Sequence, residues 1–89
     1  MEKIRIHYVF HGNVQGVGFR YKACCSAKYH GVTGWVKNCG DGTVEMEAEG
    51  YAADIAAVIR SLDEHSWGFI ERIDSEDIPV EGGYGFDIR

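Results

Sequence analysis

Two kinds of hydrophobic spacing alternate along this chain, and their order limits the folds open to it. Between Ile4 and Phe10 the side chains of Ile4, Ile6, Tyr8 and Phe10 take every second position, with Arg5, His7 and Val9 between them. A period of two over such a run is an interior strand. After a glycine-rich stretch, "RYKACCSAKYH" contains neither Gly nor Pro, sets Ala23, Cys24 and Ala27 on one stripe, and stops at Gly31, as a short helix does. "VTGWVKN" and "TVEMEAE" return to strand spacing, and "CGDG" between them has the chemistry of a hairpin turn. In the second of these strands Val44, Met46 and Ala48 are expected inward, and Glu45, Glu47 and Glu49 in water. Ile55, Val58, Ile59 and Leu62 then fall at i, i+3, i+4 and i+7, which marks an amphipathic helix from about Ala53 to Glu64. "FIERIDSED" reads as a fourth strand whose Ile70 and Ile73 break alternation, the sign of a bulge or an edge. Pro79 and glycines 82, 83 and 85 make a mobile loop before "FDIR", a short fifth strand.

The order βαββαβ plus a last strand, with right-handed crossovers and both helices on one face, predicts an α+β, ferredoxin-like sandwich on an antiparallel sheet. At 89 residues the chain suits one domain, residues 1–89, with room for a single small core. Nine Lys and Arg against 14 Asp and Glu leave a formal charge of −5, so the overall field repels polyanions. That disfavours a nucleic-acid partner and points instead to a small ligand in a tight site. Tyr8, Phe10 and Trp35 lack the basic residues that accompany base stacking on a sheet, so packing is the simpler reading. No apolar run has the length of a signal peptide or membrane span, which predicts a soluble, cytoplasmic protein with no membrane partner. Cys24, Cys25 and Cys39 are odd in number and lack zinc spacing, so free thiols are expected, Cys24 in the core. His7 and His11, four apart on a strand, are separated by about 13 Å and cannot share a metal. His30 and His65 fall near helix ends, where a structural role is expected. No metal and no cofactor are called for.

The stretch "GNVQGVGFR" has a different purpose. Gly16 and Gly18 can adopt φ > 0, so the backbone N–H groups from Val14 to Arg20 can turn into one concavity. The helix that follows adds its positive N-terminal end, and Arg20 at its start can fork two hydrogen bonds onto an oxyanion. The pattern is neither a Walker A loop nor a dinucleotide fingerprint. Spacing alone does not separate a phosphate nest from a plain glycine-rich turn. Nor does it separate Arg20 from a surface arginine, or Asn38 from a turn residue.

"VQGVGFR" at Val14–Arg20, together with "GWVKNCGDGTVEMEAEG" at Gly34–Gly50, resembles the acylphosphatase family, and the resemblance runs through nearly the whole chain. It implies a metal-free hydrolase that splits the carboxyl-phosphate anhydride of a small acyl phosphate into a carboxylate and inorganic phosphate. Arg20 and Asn38 would be its catalytic residues: Arg20 would hold the phosphoryl group, aided by backbone N–H groups of Gln15, Gly16, Val17, Gly18, Phe19 and Arg20, while Asn38 would position water. The resemblance also implies strand order 4-1-3-2, with the last strand at the edge beside strand 2. Inorganic phosphate would be product and competitive inhibitor, and the protein a monomer. The segment "DEHSWGFIERID" lacks the Gly-Pro often found in the family between the second helix and fourth strand, which leaves the shape of that loop open. The rival reading is a catalytically silent anion-binding or protein-interaction module of the same fold.

Overall fold

A computed structural model describes residues 2–65 and 69–89. The chain runs β1 (Ile4–Asn13), α1 (Phe19–Tyr29), β2 (Thr33–Asn38), β3 (Val44–Gly50), α2 (Ala52–His65), β4 (Phe69–Ile78) and β5 (Phe86–Ile88). The sheet order is β4-β1-β3-β2-β5, the order the sequence motifs imply. Alternation fixes the register: Tyr8 lies opposite Met46, and Met46 opposite Val36. These inward positions meet Ala23 and Ala27 of α1 and Ile55, Val58 and Leu62 of α2 in one core. The anticipated irregularity in β4 is present. Its pairing with β1 slips between His11 and Gly12, so Arg72 faces His11 while Ile70 faces Gly12, and β4 is an edge strand. The shape of the α2–β4 connection, at 66–68, lies outside the described residues.

The sheet departs from expectation in one respect: it is mixed rather than antiparallel, because β5 runs parallel to β2, with Gly34 opposite Phe86 and Val36 opposite Ile88. The reason is chain length. From β4 at one edge to β5 at the other is four strand spacings, about 19 Å, and residues 79–85 reach at most about 25 Å. That strap crosses one end of the sheet and enters β5 from the same end at which β2 begins. An antiparallel β5 would have required a further sheet length of chain.

The strap also overturns the expectation for Glu49. Its carboxylate is 3% exposed rather than in water, because the strap covers it: the backbone N–H groups of Glu81 and Gly82 donate to its two oxygens at 2.7 and 2.9 Å. Arg5, buried beside it, donates to Glu49 at 3.2 Å and to half-buried Glu47 at 2.9 Å. Glu45 is likewise half-buried, bonded to His7 at 2.7 Å. Burial alone would raise the Glu49 pKa; the strap N–H groups and Arg5 outweigh it and hold the carboxyl below its usual range. The unfolded chain therefore takes up that proton first, and the stabilisation is lost as pH falls from about 4.3 through the lower folded value. Glu49→Gln keeps the shape without the charge. It is expected to cost about 1–3 kcal/mol at neutral pH and to flatten the acid limb of melting temperature against pH. Parallel curves for parent and variant would refute this role for Glu49.

Candidate active site

The glycine-rich loop is held at both ends by the core. Val14 and Phe19 are 1% and 2% exposed, and the Phe19 ring meets Phe10 edge-on at 5.0 Å. Two fully buried side chains of this size contribute on the order of 2 kcal/mol each, so the backbone between them is pinned rather than loose. Within it Gly16 and Gly18 take φ of 73° and 77°, a left-handed conformation that a side chain would strain. Gly18 is the N-cap of α1, no side chain caps the helix there, and no acidic residue lies in its first turn. The first N–H groups of a helix have no partner within it, so this end of α1 is a site of positive potential.

The tertiary structure brings Asn38 to the same place. Asn38 follows Gly34 and Val36 on the helix-covered face of β2 and ends that strand. The Gln15 side chain closes the gap by donating to the carbonyls of Cys39 and Thr43 at 2.7 and 2.9 Å, which ties the loop to the β2–β3 hairpin. Asp41 rigidifies the hairpin by accepting from the Thr43 hydroxyl and backbone at 2.6 and 3.0 Å; the first of these bonds chiefly lowers its pKa. A cleft of about 190 Å3 results, lined by Val14, Gly16, Gly18, Phe19, Arg20, Tyr21, Asn38 and Ile88. Of the residues anticipated from sequence, Gly16, Gly18, Phe19, Arg20 and Asn38 line it. Gln15 and Val17 do not: the first is the latch just described, and the second packs on the core.

Arg20 is oriented by β5. Its Nη1 donates to the carbonyl of Arg89 at 2.9 Å, using one of five N–H donors. Arg89 is held in turn by its own N–H on the Val36 carbonyl at 2.8 Å, and its guanidinium lies over the Trp35 ring at 4.8 Å. Sequence reasoning missed Tyr21 and Ile88 as cleft residues. Tyr21 had a signal in its position next to Arg20; Ile88 had none, since its proximity depends on the β5 edge. The Tyr21 phenol is raised in pKa by its contact with the Cys25 thiol, so it stays neutral at physiological pH. Cys24 is buried and Cys25 exposed, with all three cysteines free. Among the described residues no three His, Cys, Asp or Glu converge as a metal-ligand set, and no helix is long and apolar enough to cross a membrane.

A ferredoxin-like sandwich with two left-handed glycines, a helix N-terminus, one arginine and one asparagine around a small cleft defines the class: a small α+β domain with an electropositive cleft. Comparison with known proteins makes the class specific. The acylphosphatase family model matches residues 6–88. An acylphosphatase of Synechococcus sp. is 40% identical, over 99% of this chain and 95% of its own. The crystal structure of acylphosphatase from Bacillus subtilis superposes with a TM-score of 0.91 at 32% identity, covering 97% of this chain and 98% of that one. A full-length HypF, in a phosphate- and nucleotide-bound form, aligns with TM-score 0.87 and 29% identity over 99% of this chain but 12% of its own. The chain belongs to the acylphosphatase family, a family of acyl phosphate hydrolases.

Proposed function

We propose that the protein hydrolyses small acyl phosphates without a metal, with the loop from Gln15 to Arg20 as phosphoryl cradle, Arg20 as charge clamp and Asn38 as the residue that positions water. The observation that carries this reading is the meeting of Arg20, from the start of α1, and Asn38, from the end of β2, in one small cleft. The leaving group is a carboxylate whose conjugate acid has a pKa of about 4, so no protein acid is needed to expel it. What remains is to stabilise charge on the equatorial oxygens of a loose transition state and to hold water in line. Backbone N–H groups and the guanidinium meet the first need. The Asn38 amide, with a carbonyl acceptor and an NH2 donor, meets the second.

As the water oxygen bonds to phosphorus, the bond to the acyl oxygen breaks and its electron pair leaves with the carboxylate. The water proton passes to a phosphoryl oxygen, so the substrate serves as its own base. Benzoyl phosphate is expected to be hydrolysed at the same rate with and without EDTA, and inorganic phosphate to inhibit competitively while raising the melting temperature, because it binds only the folded site. Folded protein with no turnover would instead support the silent anion-binding module. Turnover lost in EDTA and restored by a metal would overturn the metal-free mechanism.

A further inference from the structure

The cleft has an apolar lip that phosphoryl chemistry leaves unused. Tyr21 and Ile88 both line it, yet they are 68% and 45% exposed. Single exposed apolar side chains are ordinary on a protein surface; these two differ in sharing one functional opening from separate elements. Tyr21 follows Arg20 on α1. Ile88 ends β5, and the backbone oxygen of Arg89, which follows it, holds the Arg20 guanidinium. The cleft, at about 190 Å3, is smaller than the ~300–1,000 Å3 sites that enclose drug-sized ligands. A phosphoryl group and its anhydride carbonyl use much of that space, so the rest of an acyl group must leave across the lip. Among the described residues that line the cleft Arg20 alone is charged, and it belongs to the phosphoryl end. Beyond it the lining offers a phenol ring and a branched aliphatic chain.

We propose that Tyr21 and Ile88 form an acyl subsite that selects acyl phosphates carrying an aromatic or branched apolar group over those with a methyl-sized one. The proposal rests on the assignment of the Arg20 end as the phosphoryl site. A ring set against Tyr21 gains the energy of an aromatic pair, equivalent to about two- to tenfold in kcat/KM, and contact with Ile88 adds to it. An acetyl group is too short to gain from either.

The test compares kcat/KM for benzoyl phosphate and acetyl phosphate in the parent, Tyr21→Ala, Tyr21→Phe and Ile88→Ala, with inorganic phosphate affinity measured on each. Tyr21→Ala is expected to lower the benzoyl-to-acetyl ratio by about tenfold, chiefly by raising KM for benzoyl phosphate, and Ile88→Ala by about threefold. Tyr21→Phe, which keeps the ring, is expected to keep the ratio. Both side chains are exposed, so neither truncation threatens the core. A ratio within twofold of the parent in both alanine variants, or equal losses on both substrates, overturns the acyl subsite while leaving the hydrolase assignment intact. Parent protein that turns over neither substrate overturns the hydrolase assignment and the subsite with it.

Discussion

Asn38→Ala is expected to bind inorganic phosphate much as the parent does and yet to lose turnover by at least about 10²–10³, the scale for one preorganised polar group acting in the transition state. Arg20→Ala is expected to fail differently, losing phosphate affinity and turnover together, because the proposed clamp would face the same phosphoryl oxygens in the ground and transition states. Neither change removes core volume: Asn38 is exposed and Arg20 half-buried, so both variants should fold. Calorimetric phosphate titration beside single-turnover kinetics, with circular dichroism as the check on folding, separates the two outcomes. Near-normal turnover in Asn38→Ala would remove the water-positioning role. Undiminished phosphate affinity in Arg20→Ala would remove the clamp.

Gly34→Ala is expected to have the largest effect on stability. Gly34 sits in β2 at φ 140°, where a side chain is strained, and a Cβ there would be driven into the backbone carbonyl of Glu47 on the neighbouring strand. Backbone on a paired strand cannot rotate away as a flexible side chain could. Its own N–H is committed to the Gly85 carbonyl at 3.0 Å, so shifting β2 would loosen β3 and the entry to β5 together. A cost of at least about 4 kcal/mol follows, in the range reserved for strain and overpacking. That is a large share of the roughly 5–13 kcal/mol available to a chain of this size. Thermal unfolding should fall by about 15 °C or more, and a melting temperature within a few degrees of the parent would contradict the close approach of the strands. Surviving Gly34→Ala protein should also be impaired in turnover, since β2 carries Asn38 and its partner β5 leads into Arg89, whose backbone oxygen holds Arg20.

The two patterns of spacing were enough to determine which segments form strands and helices, because burial of one face imposes a period of two on a strand and about 3.6 on a helix. Tyr8 with Phe10, and Ile55 with Val58 and Leu62, are buried as their spacing requires. The irregular spacing of Ile70 and Ile73 carried the β4 bulge for the same reason. Gly16, Gly18, Arg20 and Asn38 were legible as candidate site residues because they lie within two unbroken motifs, and all four line one cleft.

Whatever depends on residues far apart in the chain was decided only by the tertiary structure. Glu49 alternates like a solvent-facing residue, and nothing near it in sequence announces that Glu81 and Gly82 will cover it. The direction of β5 follows from how far residues 79–85 can reach, which becomes a constraint only once β4 and β5 occupy opposite edges. The sequence suggests a use only for the backbone N–H of Gln15; that its side chain joins the loop to the hairpin through carbonyls 24 and 28 residues away is a fact of the tertiary structure. The cleft needs three distant pieces, the start of α1, the end of β2 and the end of β5, and periodicity records how a segment meets the core but not which other segments it will meet there.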